Sequence, residues 1–308
     1  MRRPCRLATI PLFILASPLA ATQPNVGGTI VVKGTPLDPE QARQRAVDFV
    51  KSTGVANGQK QVARWVVPVC IKVIGLPAPH HANVIELMLG VAREAKIPVA
   101  KPNCEPNVTV NFVADAGEVV RHIYARKPAR LNETSPTERE QLLYGSAPVR
   151  WWYATEMMDR DGVRANSMTA PWMTSGDGNS VFQLPEGTPT TQQYNSGSHV
   201  RTPTVRSLYG ATVIVDVTKA TGTRLNAIAA YAAMVAFAEM DADVPPPDSI
   251  LGLFEPSSVE SSLTDWDMAF LKSLYRMPLD RRSRIQRGHL VEALLDERIS
   301  EKSESKKP

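Results

Sequence analysis

The sequence predicts a mixed α+β fold with flanking helices and helices again at the C-terminal end. Short β-branched, apolar segments alternate with segments whose apolar residues recur at helical spacing. One Ala-rich segment is apolar nearly all round, which is typical of a central, buried helix. With 308 residues, 43% of them apolar, the chain can bury a sizeable core in one large domain or two small ones.

The N-terminus has the pattern of a secretory signal. A cationic "MRRPCR" precedes the apolar run "LATIPLFILASPLAA", which ends at Ala21. This run is shorter than the roughly 20 apolar residues that a membrane-spanning helix needs. The pattern predicts cleavage after Ala21, so that residues 1–21 are a signal peptide and the mature protein is exported, periplasmic or secreted, without a membrane span.

Removal of the predicted signal peptide would lower the net charge of the protein. The formal net charge is +4, but Arg2, Arg3 and Arg6 leave with the signal, and no acidic residue precedes residue 22. The mature chain therefore carries only +1, and this balance argues against nucleic acid as a partner.

Two cysteines, Cys70 and Cys104, remain after signal removal. In an oxidising compartment such a pair most often forms a disulfide. The bridge would close a loop of about 35 residues and stabilise the fold by roughly 3–4 kcal/mol. The alternative, two metal-binding thiolates, lacks nearby ligand partners.

The first half of the chain contains a predicted strand–helix–strand unit. A helix over 37–54, with Asp38 as N-cap and Pro39 at the first position, comes before it. The unit itself comprises a buried strand over 62–76, a helix over 80–97 and a strand over 107–113, which is long enough for a parallel crossover. Pro68 inside the first strand indicates an edge or a bulge.

The later elements follow the same patterns. Thr223 is predicted to cap the Ala-rich helix, and Ser135 and Glu138 form a capping box. The predicted helices are 116–127, 135–145, 224–241, 264–275 and 280–300, and the predicted strands are 149–159 and 208–217.

Residues 160–206 interrupt this order with a long polar insertion. The insertion is rich in Ser, Thr, Gly, Pro and Asn and contains Trp172, Phe182, Tyr194 and His199. Large amphipathic side chains of this kind anchor interfaces, so these four residues are a hypothetical binding loop. The prediction is a single domain over 22–300 with this insertion, followed by a disordered tail over 301–308.

The sequence contains no complete catalytic or metal motif. No two of its five histidines are four residues apart, and no G-x-S-x-G elbow occurs. Ser196 and Ser198 lie beside His199, but adjacency in sequence is not triad geometry. The carboxylates that might form a catalytic pair follow a helix end among prolines, where acids are usually solvated: Glu239, Asp241, Asp243 and Asp248. No cofactor is predicted.

The segment "SILGLFEPSSVESSLTDWDMAFLKSLY" (249–275) resembles the C-terminal part of matrixin-type zinc peptidases. In that family a short turn precedes a variable loop and a capped helix that ends in Leu-Tyr. Ser249 and Ile250 match the turn, with Leu251 in the position of the turn's Met. The helix matches at Leu263, Thr264, Asp267, Leu271, Leu274 and Tyr275. The resemblance implies a zincin-like scaffold, and the order of elements over 62–276 is compatible with one.

The chain departs from this family at the zinc site. The helix that would carry H-E-x-x-H reads "RLNAIAAYAAMVAFAEMD" and contains no His. No catalytic residue therefore carries over, and Thr264 is interpreted as an N-cap and Leu251 as a buried turn residue. The hypothesis is a non-catalytic exported protein on a degenerate zincin-like scaffold, which binds a peptide, a glycan or an envelope protein. The alternative is a hydrolase with a relocated site around Ser196, Ser198 and His199.

Overall fold

A computed structural model describes residues 38–55, 60–159, 172–174, 181–183, 201–202, 204–241, 244–256 and 258–304. The signal-peptide prediction therefore lies outside the described residues. The helices are α1 Pro39–Ser52, α2 Ala78–Glu94, α3 Ala116–Arg126, α4 Pro136–Tyr144, α5 Leu225–Phe237, α6 Asp265–Arg276 and α7 Ser283–Glu304. The strands are β1 Ala63–Trp65, β2 Ile71–Ile74, β3 Val108–Val113, β4 Val149–Asp159, β5 Trp172–Thr174, β6 Val181–Gln183 and β7 Thr204–Asp216. The predicted α+β class is confirmed.

The main sheet is built around β7. β4 pairs antiparallel with β7 along nearly its whole length, with an irregularity between Ala154 and Thr155. The other edge of β7 is shared by two parallel strands, β1 at its beginning and β3 further along. β2 pairs parallel with β3. The sheet is therefore mostly parallel, with the antiparallel β4 at one edge.

The single strand predicted over 62–76 is two strands. The chain leaves the edge of β7 after Trp65, passes Pro68, and resumes as β2 on the far side of β3. The Asn107 side chain fills the split, because it accepts from the Cys70 amide (2.7 Å) and donates to the Pro68 carbonyl (3.0 Å). The predicted irregularity at Pro68 is thus confirmed, and its extent is larger than a bulge.

The predicted β2–α2–β3 parallel crossover is present, and a disulfide joins its two strand segments. The Cα atoms of Cys70 and Cys104 are 6.0 Å apart in this bridge. Cys70 immediately precedes β2, and Cys104 lies just before β3. The disulfide therefore fixes both strands of the crossover where they enter the sheet.

Helices cover both faces of the sheet. The larger core lies on one face and includes α1, α2, α5 and α6, with α7 packed against α1 and α6. The smaller core lies on the other face, where Trp152 and Ile214 of the sheet pack against α3 and α4. Both helices at the C-terminal end contribute apolar side chains to the larger core.

α5 is the central helix, and its residues 227–237 are all buried. It is shorter than the predicted 224–241, because it begins after Arg224 and ends at Phe237, with Ala238 already extended. The predicted N-cap at Thr223 is wrong, since Arg224 occupies that position. The last carbonyls of the helix are bonded by side chains from outside it.

Four aromatic side chains bond the carbonyls at the end of α5. A buried helix end leaves carbonyls without helical partners, and each must find another donor. Trp65 donates to Ala236 (2.8 Å), Tyr275 to Phe237 (2.7 Å) and Trp151 to Met240 (3.3 Å). The Tyr153 hydroxyl has one proton to donate and lies within hydrogen-bond distance of two carbonyls, those of Val235 (2.6 Å) and Ala238 (2.8 Å). These donors come from β1, β4 and α6, so the helix end ties three elements together.

The buried Asp267 carboxylate joins the turn at 249–251 to α6. It accepts from the Ser249 hydroxyl, the Ile250 amide (2.8 Å) and the Thr264 amide (2.9 Å). The Asp267 amide in turn donates to the Thr264 hydroxyl (3.1 Å), which completes the capping box. The predicted N-cap at Thr264 and the buried turn residue Leu251 are both confirmed.

Two predicted boundaries are wrong. Residues 160–206 are not irregular throughout, because they contain the β5–β6 pair and the first residues of β7. The predicted disordered tail 301–308 begins too early, since α7 continues to Glu304.

Replacement of Asp267 by Asn should destabilise the protein by about 2–4 kcal/mol, because an amide group would face several donors in a buried site. Urea denaturation followed by circular dichroism measures this difference. The matched control is Asp265→Asn on the same helix turn, whose side chain is 81% exposed and should change stability by less than about 1 kcal/mol. Equal losses in both variants would contradict the role of Asp267.

The loss of stability in Asp267→Asn should depend on pH, because Asp267 titrates. Burial raises the pKa of Asp267, and hydrogen bonds from Ser249, Ile250 and Thr264 offset part of that rise. The folded state therefore binds the proton more tightly than the unfolded state, so stability from this group is present at low pH and is lost as pH rises through the folded pKa. The free energy of unfolding of the natural protein should exceed that of Asp267→Asn by more at pH 4 than at pH 7.

Replacement of Tyr275 by Phe should cost about 1–2 kcal/mol, because the buried Phe237 carbonyl loses its donor. Tyr144→Phe is the control, since Tyr144 is 70% exposed. Thermal unfolding of the two variants compares them directly. An unchanged midpoint for Tyr275→Phe would show that this cap contributes nothing.

Candidate binding groove

A groove of about 460 Å³ runs along the outer edge of β4. Its volume is in the range of ligand-binding clefts. One wall consists of α4 and the loop 145–147, together with Glu133 and Thr134. The opposite wall consists of Gly54, Lys60 and the segment 239–241 that follows α5. The groove is therefore placed by the sheet edge and by the early end of α5.

The floor of the groove is the open edge of β4. The Asp216 amide donates to the Pro148 carbonyl (2.8 Å), and this bond sets the alternation of the β4–β7 ladder. Val149, Trp151 and Tyr153 consequently direct their backbone N–H and C=O groups away from β7. No described strand pairs with this edge of β4, and no described residue bonds these six backbone groups.

Glu133 closes the edge at Thr155. Its carboxylate accepts from the Thr155 amide (2.7 Å) and from the Thr155 hydroxyl. The irregularity in the β4–β7 pairing lies immediately before Thr155. The free part of the edge is therefore limited to the segment 149–153.

A buried ion-pair network lies at the closed end of the groove. The Arg206 guanidinium, whose side chain is 10% exposed, pairs with Glu239 and lies 3.7 Å from Glu133. Lys60 also pairs with Glu239 (2.6 Å), and Arg206 donates to the Thr155 hydroxyl (3.0 Å). The network connects both walls of the groove to β4 and β7.

Arg150 lies within the wall at the other end of the groove. It is 4% exposed, and one of its terminal nitrogens donates to the Gly145 carbonyl. Its Nε and Nη1 atoms have no hydrogen-bond partner among the described residues. Burial lowers the pKa of Arg150, while the carboxylates of Asp216 and Asp115 raise it.

The place where a zincin-like helix would carry its metal ligands is filled by aromatic side chains. Tyr231 of α5 packs edge-on against Trp151 (ring centroids 6.0 Å apart) and Phe254 (5.4 Å). Met234 and Phe237 are also buried. Burial raises the pKa of the Tyr231 hydroxyl.

The structure brings only part of the predicted site residues together. Glu239 and Asp241 line the groove, whereas Asp248 pairs with Arg45 elsewhere, and Asp243 lies outside the described residues. In the hypothetical binding loop, Trp172 belongs to β5 and Phe182 to β6, and Tyr194 and His199 lie outside the described residues. Ser196 and Ser198 lie outside them as well.

Glu133, Arg206 and the open edge of β4 are the features that sequence reasoning missed. Glu133 and Arg206 carry no motif, and they meet only because β4 and β7 pair. The sequence assigned Arg206 to the polar insertion, two residues before the predicted strand 208–217, so no local signal marked it as a buried residue.

Comparison with protein-family models, with characterised proteins and with solved structures returns no match. The zincin-like resemblance therefore stays a prediction. Among the described residues, no three His, Cys, Asp or Glu side chains are grouped so that they could hold a metal ion. In the same part of the chain, no helix combines the length and the apolar character required to cross a membrane.

Replacement of Arg206 by Met should destabilise the protein by about 2–3 kcal/mol, because Glu239 would keep only Lys60 as a partner in a mostly buried site. Urea denaturation measures the loss. The control is Arg43→Met, whose ion pair with Glu292 is more than half exposed and should contribute less than about 1 kcal/mol. A loss no larger than that of the control would contradict the importance of the network.

Proposed function

We propose that this protein is an exported, non-catalytic binding protein whose groove along β4 receives an extended polypeptide segment. The observation that carries the proposal is the open edge of β4. Unpaired N–H and C=O groups of an edge strand pair readily with an added strand. Here those groups form the floor of a groove rather than a flat outer edge, so an incoming strand would also be held between two walls.

Three features support export and the absence of zinc peptidase chemistry. The N-terminal sequence has the pattern of a secretory signal, and the Cys70–Cys104 disulfide suits an oxidising compartment. The helix that would carry zinc ligands in a zincin-like scaffold presents Tyr231, Met234 and other apolar side chains. We therefore retain the degenerate zincin-like scaffold as part of the proposal.

An extended peptide suits the floor of the groove. The floor offers alternating backbone donors and acceptors at the spacing of a strand, and an extended peptide carries the complementary groups. The free stretch 149–153 spans about 14 Å, which matches four steps of an extended chain. A peptide or the edge segment of an envelope protein would meet these requirements.

The test begins with a library of random decapeptides panned against purified residues 22–308. A selected peptide is then synthesised with N-methyl groups on its odd or on its even residues. Strand addition predicts that one set weakens binding at least tenfold, because only alternate amides face β4, while the other set changes it less than about threefold. Equal effects of the two sets would contradict strand addition, and cleavage of the peptide would favour the hydrolase alternative.

A pair of protein variants locates the binding site. Ala147 is exposed and lines the groove, so Ala147→Trp should obstruct it and weaken binding of the selected peptide at least tenfold. Ala129 is also exposed but lies outside the groove lining, so Ala129→Trp should bind normally. Both variants should unfold at the same temperature as the natural protein. Unchanged binding by a folded Ala147→Trp variant would remove the groove from consideration.

A further inference from the structure

We infer that the groove selects a short, positively charged strand, and that Glu133 fixes where this strand must end. The inference rests on the proposed function and adds the chemical class and the length of the occupant. Two independent observations carry it, which are the balance of charges around the groove and the closure of the edge at Thr155.

Among the described residues, the groove lining carries more negative than positive groups. These residues include four carboxylates and two cations. The carboxylates are Glu133, Glu138, Glu239 and Asp241, and the cations are Lys60 and Arg150.

The two cations contribute little to the surface that an occupant would meet. Arg150 is 4% exposed and lies close to the carboxylates of Asp115 and Asp216 on its far side. Lys60 is paired with Glu239, so one cation and one carboxylate of the lining largely neutralise each other.

Arg206 reduces the negative excess but does not cancel it. Arg206 pairs with Glu239 and its side chain is 90% buried, so an occupant of the groove would have little contact with its charge. Among the described residues of the lining, Glu133 places an exposed carboxylate on the wall that contains α4. A strand whose Lys or Arg side chains face that wall would bring them close to this carboxylate.

Glu133 acts as a stop, which means that it limits how far along β4 an added strand can pair. Strand addition past Tyr153 requires the Thr155 amide, and the Glu133 carboxylate already accepts from that amide and from the adjacent hydroxyl. The Arg206 guanidinium lies 3.7 Å from the Glu133 carboxylate and helps to hold it in this position. At the other end, Pro148 has no amide and its carbonyl already bonds Asp216. The free edge therefore offers only three outward-facing residues, enough for an occupant of about five to six residues.

The charge part is tested with two synthetic strands, Thr-Lys-Val-Lys-Val-Lys-Thr and Thr-Glu-Val-Glu-Val-Glu-Thr, by calorimetric titration. At 50 mM salt the basic peptide should bind at least tenfold more tightly than the acidic one. The difference should shrink at least threefold at 300 mM salt, because salt screens exposed charges. Equal affinities, or tighter binding of the acidic peptide, would overturn the charge part of the inference.

A matched pair of variants assigns the preference to Glu133. Glu133→Gln keeps an acceptor for the Thr155 amide and removes one charge, so binding of the basic peptide should weaken about three- to tenfold. Glu140→Gln removes a charge from an exposed residue of α4 outside the groove lining and should leave binding unchanged. Equal weakening in both variants would show that the preference comes from the overall charge of the protein.

The stop is tested with basic peptides of five, seven and nine residues. Affinity for the natural protein should stop rising beyond about six residues, whereas Glu133→Ala should continue to gain affinity up to about eight. Continued gain in the natural protein would overturn the stop. The fate of the proposed function is separate, since library peptides that bind at β4 without charge preference would sustain it, and the loss of all strand binding would remove both.

Discussion

The bonding of the C-terminal carbonyls of α5 is the constraint on which the rest of the structure depends. α5 lies in the middle of the larger core, so its final carbonyls cannot reach water. Trp65, Tyr153 and Tyr275 supply donors to these carbonyls, and Trp151 bonds the Met240 carbonyl just beyond the helix. The donors belong to β1, β4 and α6, so these three elements pack around the end of the helix. The end of α5 at Phe237 also places the segment 239–241, which forms part of one wall of the groove.

The second organising group is the Asp267 carboxylate, which joins the turn at 249–251 to the beginning of α6. Ser249, Thr264 and Asp267 are separated in sequence, yet they form one buried hydrogen-bonded cluster. The cluster holds the 249–251 turn against α6 and close to α5. These residues therefore have a packing role, and the neighbouring helix α5 carries Tyr231 in an aromatic cluster.

The sequence predicted the seven helices that the structure describes and most strands of the main sheet, because their apolar patterns and, at α4 and α6, their capping boxes mark them. It did not predict the end of α5, since "AFAEMD" favours continued helix and the aromatic donors that bond the last carbonyls come from distant parts of the chain. It did not predict that 62–76 divides, because the division depends on β3 taking over the edge of β7. The groove was missed for a related reason. Glu133 and Arg206 have no local signature, and an open strand edge is a property of the sheet order.

The place of β7 in the sheet also bears on how the chain acquires its fold. β7 is the central strand, yet it begins at Thr204, after every other strand of the main sheet has been made. Until it arrives, β1, β3 and β4 lack the partner on which they assemble, and their apolar faces stay uncovered. The β2–α2–β3 unit is the exception, because its pairing is local and Cys70 and Cys104 are only 34 residues apart. Oxidation of these thiols can therefore stabilise the β2–β3 part of the sheet before the central strand β7 has joined it.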